Sequence, residues 1–145
     1  MLASIQLGEE IMFSDLNWLA IIVCTLFSMV LGFFWYGPVL FDKTWMKLAG
    51  IKPEEIQAKD SMRGHLISLV GSFLAVIALA VIVRWWGEGL LDGLLAGGFF
   101  GFSLVVTSYF SNDAYEKRPV ALTLINAGYR FVYFAVSGAI LGVWH

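Results

Sequence analysis

Apolar residues gather into four long runs, at about 18–36, 66–83, 90–109 and 120–144, and the polar residues collect in the short stretches between them. Each run holds roughly 20 residues, the length a helix needs to cross a hydrocarbon core about 30 Å thick. The pattern predicts an all-α integral membrane protein, a transmembrane bundle of four helices. With more than half of the chain inside the runs, residues 1–145 read as a single membrane domain.

The ends of the first run are marked. Asp15-Leu16-Asn17-Trp18 supplies capping side chains and a Trp suited to the water interface. Trp35 and Tyr36 form an aromatic belt at the exit, and Pro38 then breaks the helix by restricting Gly37 and lacking an N–H. Beyond it, Phe41, Trp45, Leu48 and Ala49 recur at helical spacing with Lys43 and Lys47 on other faces. This predicts a short amphipathic interfacial helix at about 40–49, with Trp18, Trp35, Tyr36 and Trp45 as interfacial anchors. The same segment could serve to dock a partner. Lys52-Pro53-Glu54-Glu55 reads as a further helix start, with Pro and two acids in the first turn.

Small residues form a second pattern inside the runs. Gly89, Gly93, Gly97 and Gly101 fall every fourth residue, with Gly98 beside them, and Gly138 and Gly142 repeat the spacing in the fourth run. Such a stripe lets two backbones approach closely where lipid gives little hydrophobic drive. It suits either a contact within the bundle or one between copies, and a homo-oligomer is expected.

Composition agrees with the bilayer as solvent: 59% of residues are apolar and 14% charged, against about 25% charged in soluble domains. The net charge of −2 conceals an asymmetry. Lys43, Lys47, Lys52, Lys59, Arg63, Lys117 and Arg118 lie in the first and third loops, whereas the second loop carries only Arg84. Basic loops stay in the cytoplasm, so both termini are placed outside a bacterial cytoplasmic membrane, in a single orientation. The first sixteen residues hold Glu9, Glu10 and Asp15 but no Lys or Arg, so no cleaved signal peptide is expected. The single cysteine, Cys24, excludes an intrachain disulfide and reads as a packing residue.

Arg130 stands near the middle of the fourth run and is read as the one charge at depth, with no Asp or Glu expected inside any span. Thr123, Asn126, Arg130, Tyr133 and Ser137 follow spacings of three and four, so they form one polar stripe along the helix. The eleven Leu, Ile, Val and Phe residues of this run supply about −3 to −7 kcal/mol of insertion free energy, against about +3 for Arg130. Insertion is feasible but favours partners. Candidates are Thr25, Ser28, His65, Ser68, Ser72, Ser103 and Thr107. Three roles fit: locking the bundle, lining a polar cavity that binds an anion or anionic headgroup, or snorkelling with local water.

Without an embedded carboxylate, a proton-coupled exporter of cations is disfavoured. The two histidines, His65 and His145, fall at opposite ends of the topology and cannot share a metal or haem. No catalytic motif, cofactor site or nucleic-acid signature is found, so enzyme action is not expected. Two functions remain. One is a channel or carrier for an anionic or polar solute, with Asn126, Tyr129, Arg130, Tyr133, Ser137 and His65 as candidate binding residues. The other is a non-transporting assembly or lipid-binding module, using the glycine stripe and the basic loops.

A family resemblance bears on this choice. Asn17-Trp18-Leu19-Ala20, Leu31-Gly32, Trp35-Tyr36, Pro38, Phe41, Lys43, Trp45 and Met46 resemble the first half of the small bacterial membrane proteins grouped as domain of unknown function number seventeen sixty-one. Asn126-Ala127-Gly128-Tyr129, then Gly138-Ala139-Ile140-Leu141-Gly142 with Trp144, resemble the second half. The likeness runs from about Phe13, leaving the first dozen residues outside it and Met12 as an alternative start. It implies a four-helix membrane protein without an assigned activity. It also shifts weight from Arg130 towards Asn126 and Tyr129, since the family pattern does not require Arg at that position.

Overall fold

Asn17 starts the first helix by accepting a hydrogen bond from the Ala20 amide at 3.0 Å, which satisfies one of the four donors a helix N-terminus leaves free. That helix, α1, is Trp18–Tyr36 and ends at Gly37 and Pro38. The computed structural model describes residues 15–52, 54 and 58–144, with 58–60 as backbone. The residues before Asp15, part of the Lys52-Pro53-Glu54-Glu55 segment and His145 lie outside the described residues.

Five more α-helices follow among the described residues. The interfacial helix is α2, Asp42–Ala49, closed by Gly50 in the left-handed region at φ 70°. The second span is α3, Ala58–Trp86, and the third is α4, Leu90–Phe100, followed by a π-helical turn Gly101–Val106 and α5, Thr107–Tyr115. The fourth span is α6, Val120–Val143. Among the described residues there is no strand, and four helical stretches are long and apolar enough to cross a membrane. The protein is a multi-pass membrane protein. Its lipid-facing surface accordingly keeps Leu19, Leu26, Leu66, Leu74, Leu95 and Leu124 exposed, as a bilayer solvent allows.

Two spans run further than hydropathy indicates. The helix of the second span covers Ala58–Trp86 where 66–83 is expected, and the third apolar helix continues to Tyr115 past the expected 109. The extra segment, Phe110 to Tyr115, is too polar to register as apolar sequence but is held by tertiary contacts. Asp113 is 6% exposed and accepts a hydrogen bond from Thr123 Oγ1 at 2.7 Å, while its backbone carbonyl accepts from the Arg118 amide. This pairing ties the end of α5 to the start of α6.

The glycine stripe is spent inside the subunit. A Cβ added to Gly93 would overlap the Gly138 carbonyl oxygen, and one added to Gly97 would overlap that of Phe134. In the other direction, Gly138 and Gly142 meet the carbonyls of Gly93 and Gly89. Gly89, at φ 108°, also donates its amide to the Gly142 carbonyl at 2.8 Å. α4 and α6 therefore pack backbone to backbone, which only glycine permits here. The main core lies on the other side of α6. There Ala20, Ile21 and Cys24 of α1 meet Val76, Leu79, Ala80 and Val83 of α3 and Tyr133 and Leu141 of α6.

Candidate functional site

The side chains of α6 reach neighbouring elements at successive turns, and these contacts shape the space around Arg130. Nearest the basic loops, Asn126 Oδ1 accepts from both Trp45 Nε1 at 3.0 Å and Tyr36 OH at 3.2 Å, which clasps α2 and the end of α1 onto α6. Trp35 Nε1 donates to the Ile125 carbonyl at 3.0 Å. One turn on, Tyr129 OH donates to the Ser28 carbonyl at 2.8 Å. Tyr133 OH then donates to the Ser72 carbonyl at 3.3 Å. The aromatic rings meet along the same line, tilted or edge-on, with Tyr36 and Tyr129 centroids 5.3 Å apart and Tyr36 and Trp45 centroids 5.5 Å apart.

These contacts frame a cavity of about 800 Å³ towards the basic end of the bundle. Its walls come from α1 (Ser28, Gly32, Phe33, Tyr36), α2 (Trp45), α3 (Ser61, His65, Ser68), α5 (Tyr109) and α6 (Tyr129, Arg130). The Arg130 guanidinium lies over the Tyr129 ring, 5.4 Å from its centroid, a cation–π arrangement. Among the described residues it has no hydrogen-bond or ion-pair partner, and no Asp, Glu or Lys lines the cavity. His65 Nδ1 stands 2.6 Å from the Ser61 carbonyl, which can only accept, so Nδ1 carries the proton and Nε2 remains open.

The sequence-derived candidate residues fall into two groups. Arg130, Tyr129 and His65 line the cavity and Asn126 holds its wall, together with the interfacial anchors Trp45 and Tyr36. Thr123 is engaged with Asp113, and Ser137 is fully buried further along, its hydroxyl without a partner among the described residues, like that of Ser72. Of the other expected neighbours of Arg130, Ser28 and Ser68 share its cavity, whereas Thr25 is bonded to the Ile21 carbonyl and Thr107 to the Ser103 carbonyl.

One expectation needs correction. Acids do lie within a span: Asp92 occupies the first turn of α4, and Asp113 is buried near the far end of the same transmembrane helix. Neither is among the residues lining the Arg130 cavity, so the charge there stays uncompensated by carboxylate. Tyr109 also belongs to the site without having been singled out. The only trace in the sequence was its place in a hydroxyl-bearing run, Thr107-Ser108-Tyr109, and the π turn before it is what aims α5. The hydroxyls of Thr107 and Ser108 donate to the carbonyls of Ser103 and Leu104 within that turn, a back-bonding that bends helices.

A smaller space of about 340 Å³ lies at the opposite end, where Arg84 bonds the carboxylate of Asp15 at 3.0 Å. No group of His, Cys, Asp and Glu able to hold a metal occurs among the described residues.

The family is decided by a match to the sequence model described as Protein of unknown function (DUF1761), which covers residues 19–142. The chain belongs to the DUF1761 family. The matched stretch of this DUF1761 chain includes every residue named above as lining the Arg130 cavity. Comparison with curated proteins and with solved structures gave no match.

Proposed function

We propose that this DUF1761 protein binds an anionic or polar solute in the Arg130 cavity and passes it across a bacterial cytoplasmic membrane as a small channel or carrier. One observation carries the reading. Arg130 lines a space of about 800 Å³ and has neither a carboxylate in the described lining nor a hydrogen-bond partner among the described residues. A guanidinium at membrane depth costs several kcal/mol unless something compensates it, and Tyr129 alone supplies a modest cation–π attraction. An incoming anion completes the balance.

The competing reading, a non-transporting assembly or lipid-binding module, leaned on the glycine stripe. That stripe faces α6 within the subunit, which removes it as a ready docking surface for a second chain. Anion efflux from proteoliposomes tests the choice. The wild-type protein should support flux, Arg130→Leu should abolish it, and Arg130→Lys should retain part. Flux that survives Arg130→Leu unchanged, or absence of flux alongside reproducible co-purification of another membrane protein, would favour the assembly reading.

A further inference from the structure

Resting on the anion-binding reading, we infer that the cavity takes a monoanion joined to an apolar body, in preference to a small inorganic anion. The charge count comes first. Arg130 is the only Lys or Arg in the described lining, so a single negative charge is matched, whereas a dianion would leave one negative charge without a cationic partner there.

The donor inventory points the same way. Tyr129 OH, Tyr36 OH, Trp45 Nε1 and His65 Nδ1 already donate to protein acceptors. The guanidinium and the hydroxyls of Tyr109, Ser68 and Ser61 remain as donors without an acceptor among the described residues. Phosphate, sulfate or chloride is hydrated on all sides and needs donors all round. A carboxylate or phosphodiester gathers its single charge on two oxygens of one atom, and Arg can hold the two together.

The remaining wall is apolar or aromatic. The rings of Tyr36, Tyr129 and Trp45 stand against one another in tilted and edge-on arrangements, and Phe33 at the rim is 67% exposed. About 800 Å³ falls within the range of pockets that enclose organic ligands and far exceeds one ion. Two sources offer this chemistry: a water-soluble organic carboxylate, and the phosphodiester of an anionic lipid.

Radiolabelled benzoate binding to the purified full chain, in nanodiscs of phosphatidylcholine, is the test. Saturable binding is expected, displaced by unlabelled benzoate but not by benzyl alcohol, inorganic phosphate or chloride. Arg130→Leu should weaken it about tenfold or more, the scale of a lost charge-assisted hydrogen bond. Tyr109→Phe, which removes one donor and no charge, should weaken it several-fold and covers the case in which the Arg130 variant does not fold. Nanodiscs containing phosphatidylglycerol assign the source: competition with benzoate makes the lipid the occupant, and unchanged binding makes it the soluble acid. Arg130-dependent binding of phosphate or chloride in place of benzoate would overturn this inference and leave the anion reading intact. Absence of any Arg130-dependent anion binding would defeat both.

Discussion

Asn126 is the residue on which the cavity wall depends. Its carbonyl oxygen receives two donors from two different elements, Tyr36 at the end of α1 and Trp45 in α2. Removing the acceptor strands both N–H and O–H groups in a half-buried site, where an unmet donor costs about 1–3 kcal/mol. Asn126→Leu should therefore lower stability by about 1–2 kcal/mol and loosen α2, while Trp45→Phe loses one of the same bonds. Because the two changes share a bond, their costs should not add, and a double-mutant cycle by denaturant unfolding in detergent should show coupling of about 0.5–1 kcal/mol. Simple additivity would mean that the Trp45 bond to Asn126 contributes nothing. The result bears on function because Trp45 is also part of the cavity lining.

At the scale of elements, the tightest joint is α4 against α6, and its glycines separate two effects of the same substitution. Gly97→Ala places a methyl group onto the Phe134 carbonyl, which is backbone and cannot turn aside. Overpacking of this kind costs about 1–3 kcal/mol, more than the roughly 1 kcal/mol that alanine gains over glycine in a helix. Gly71→Ala in α3 has nothing within 4 Å of the new Cβ and should show the gain alone. Thermal unfolding should thus move in opposite directions for the two variants; a neutral Gly97→Ala would refute the close contact. The element boundaries also show what the sequence made legible. Apolar run length located the four spans because lipid demands continuous apolar surface, and the fourfold glycine spacing located a helix contact. Phe110 to Tyr115 escaped because its helix is held by Asp113 and Thr123, a tertiary pairing that hydropathy does not register. The π turn at Gly101–Val106 had no pattern to betray it. The site was partly legible through Arg130, Tyr129 and His65. Trp45 and Tyr36 read as interface anchors because amphipathic rings suit that position, and only the pairing with Asn126 makes them a wall.

The whole molecule adds direction. Seven basic residues lie in or beside the first and third loops, Lys59 and Arg63 at the start of α3, whereas only Arg84 lies beside the second, and the cavity lies towards the more basic end. Basic loops favour the cytoplasm, so the expected map has the cavity facing it and both termini outside. Membrane-impermeant maleimide on intact spheroplasts checks this, using Cys24→Ala to remove the single, buried thiol. Glu88→Cys, in the second loop, should label at once, and Lys43→Cys, exposed on α2, only after permeabilisation. The opposite pattern would reverse the map. Whichever way the cavity faces, a potential negative inside works on a crossing anion by about 2.3 kcal/mol per charge for each 100 mV across the whole membrane. Passive movement then runs outward. Anion efflux from proteoliposomes should accordingly quicken when the lumen is made negative and slow when it is made positive, and a flux indifferent to potential would show that no net charge crosses with the solute.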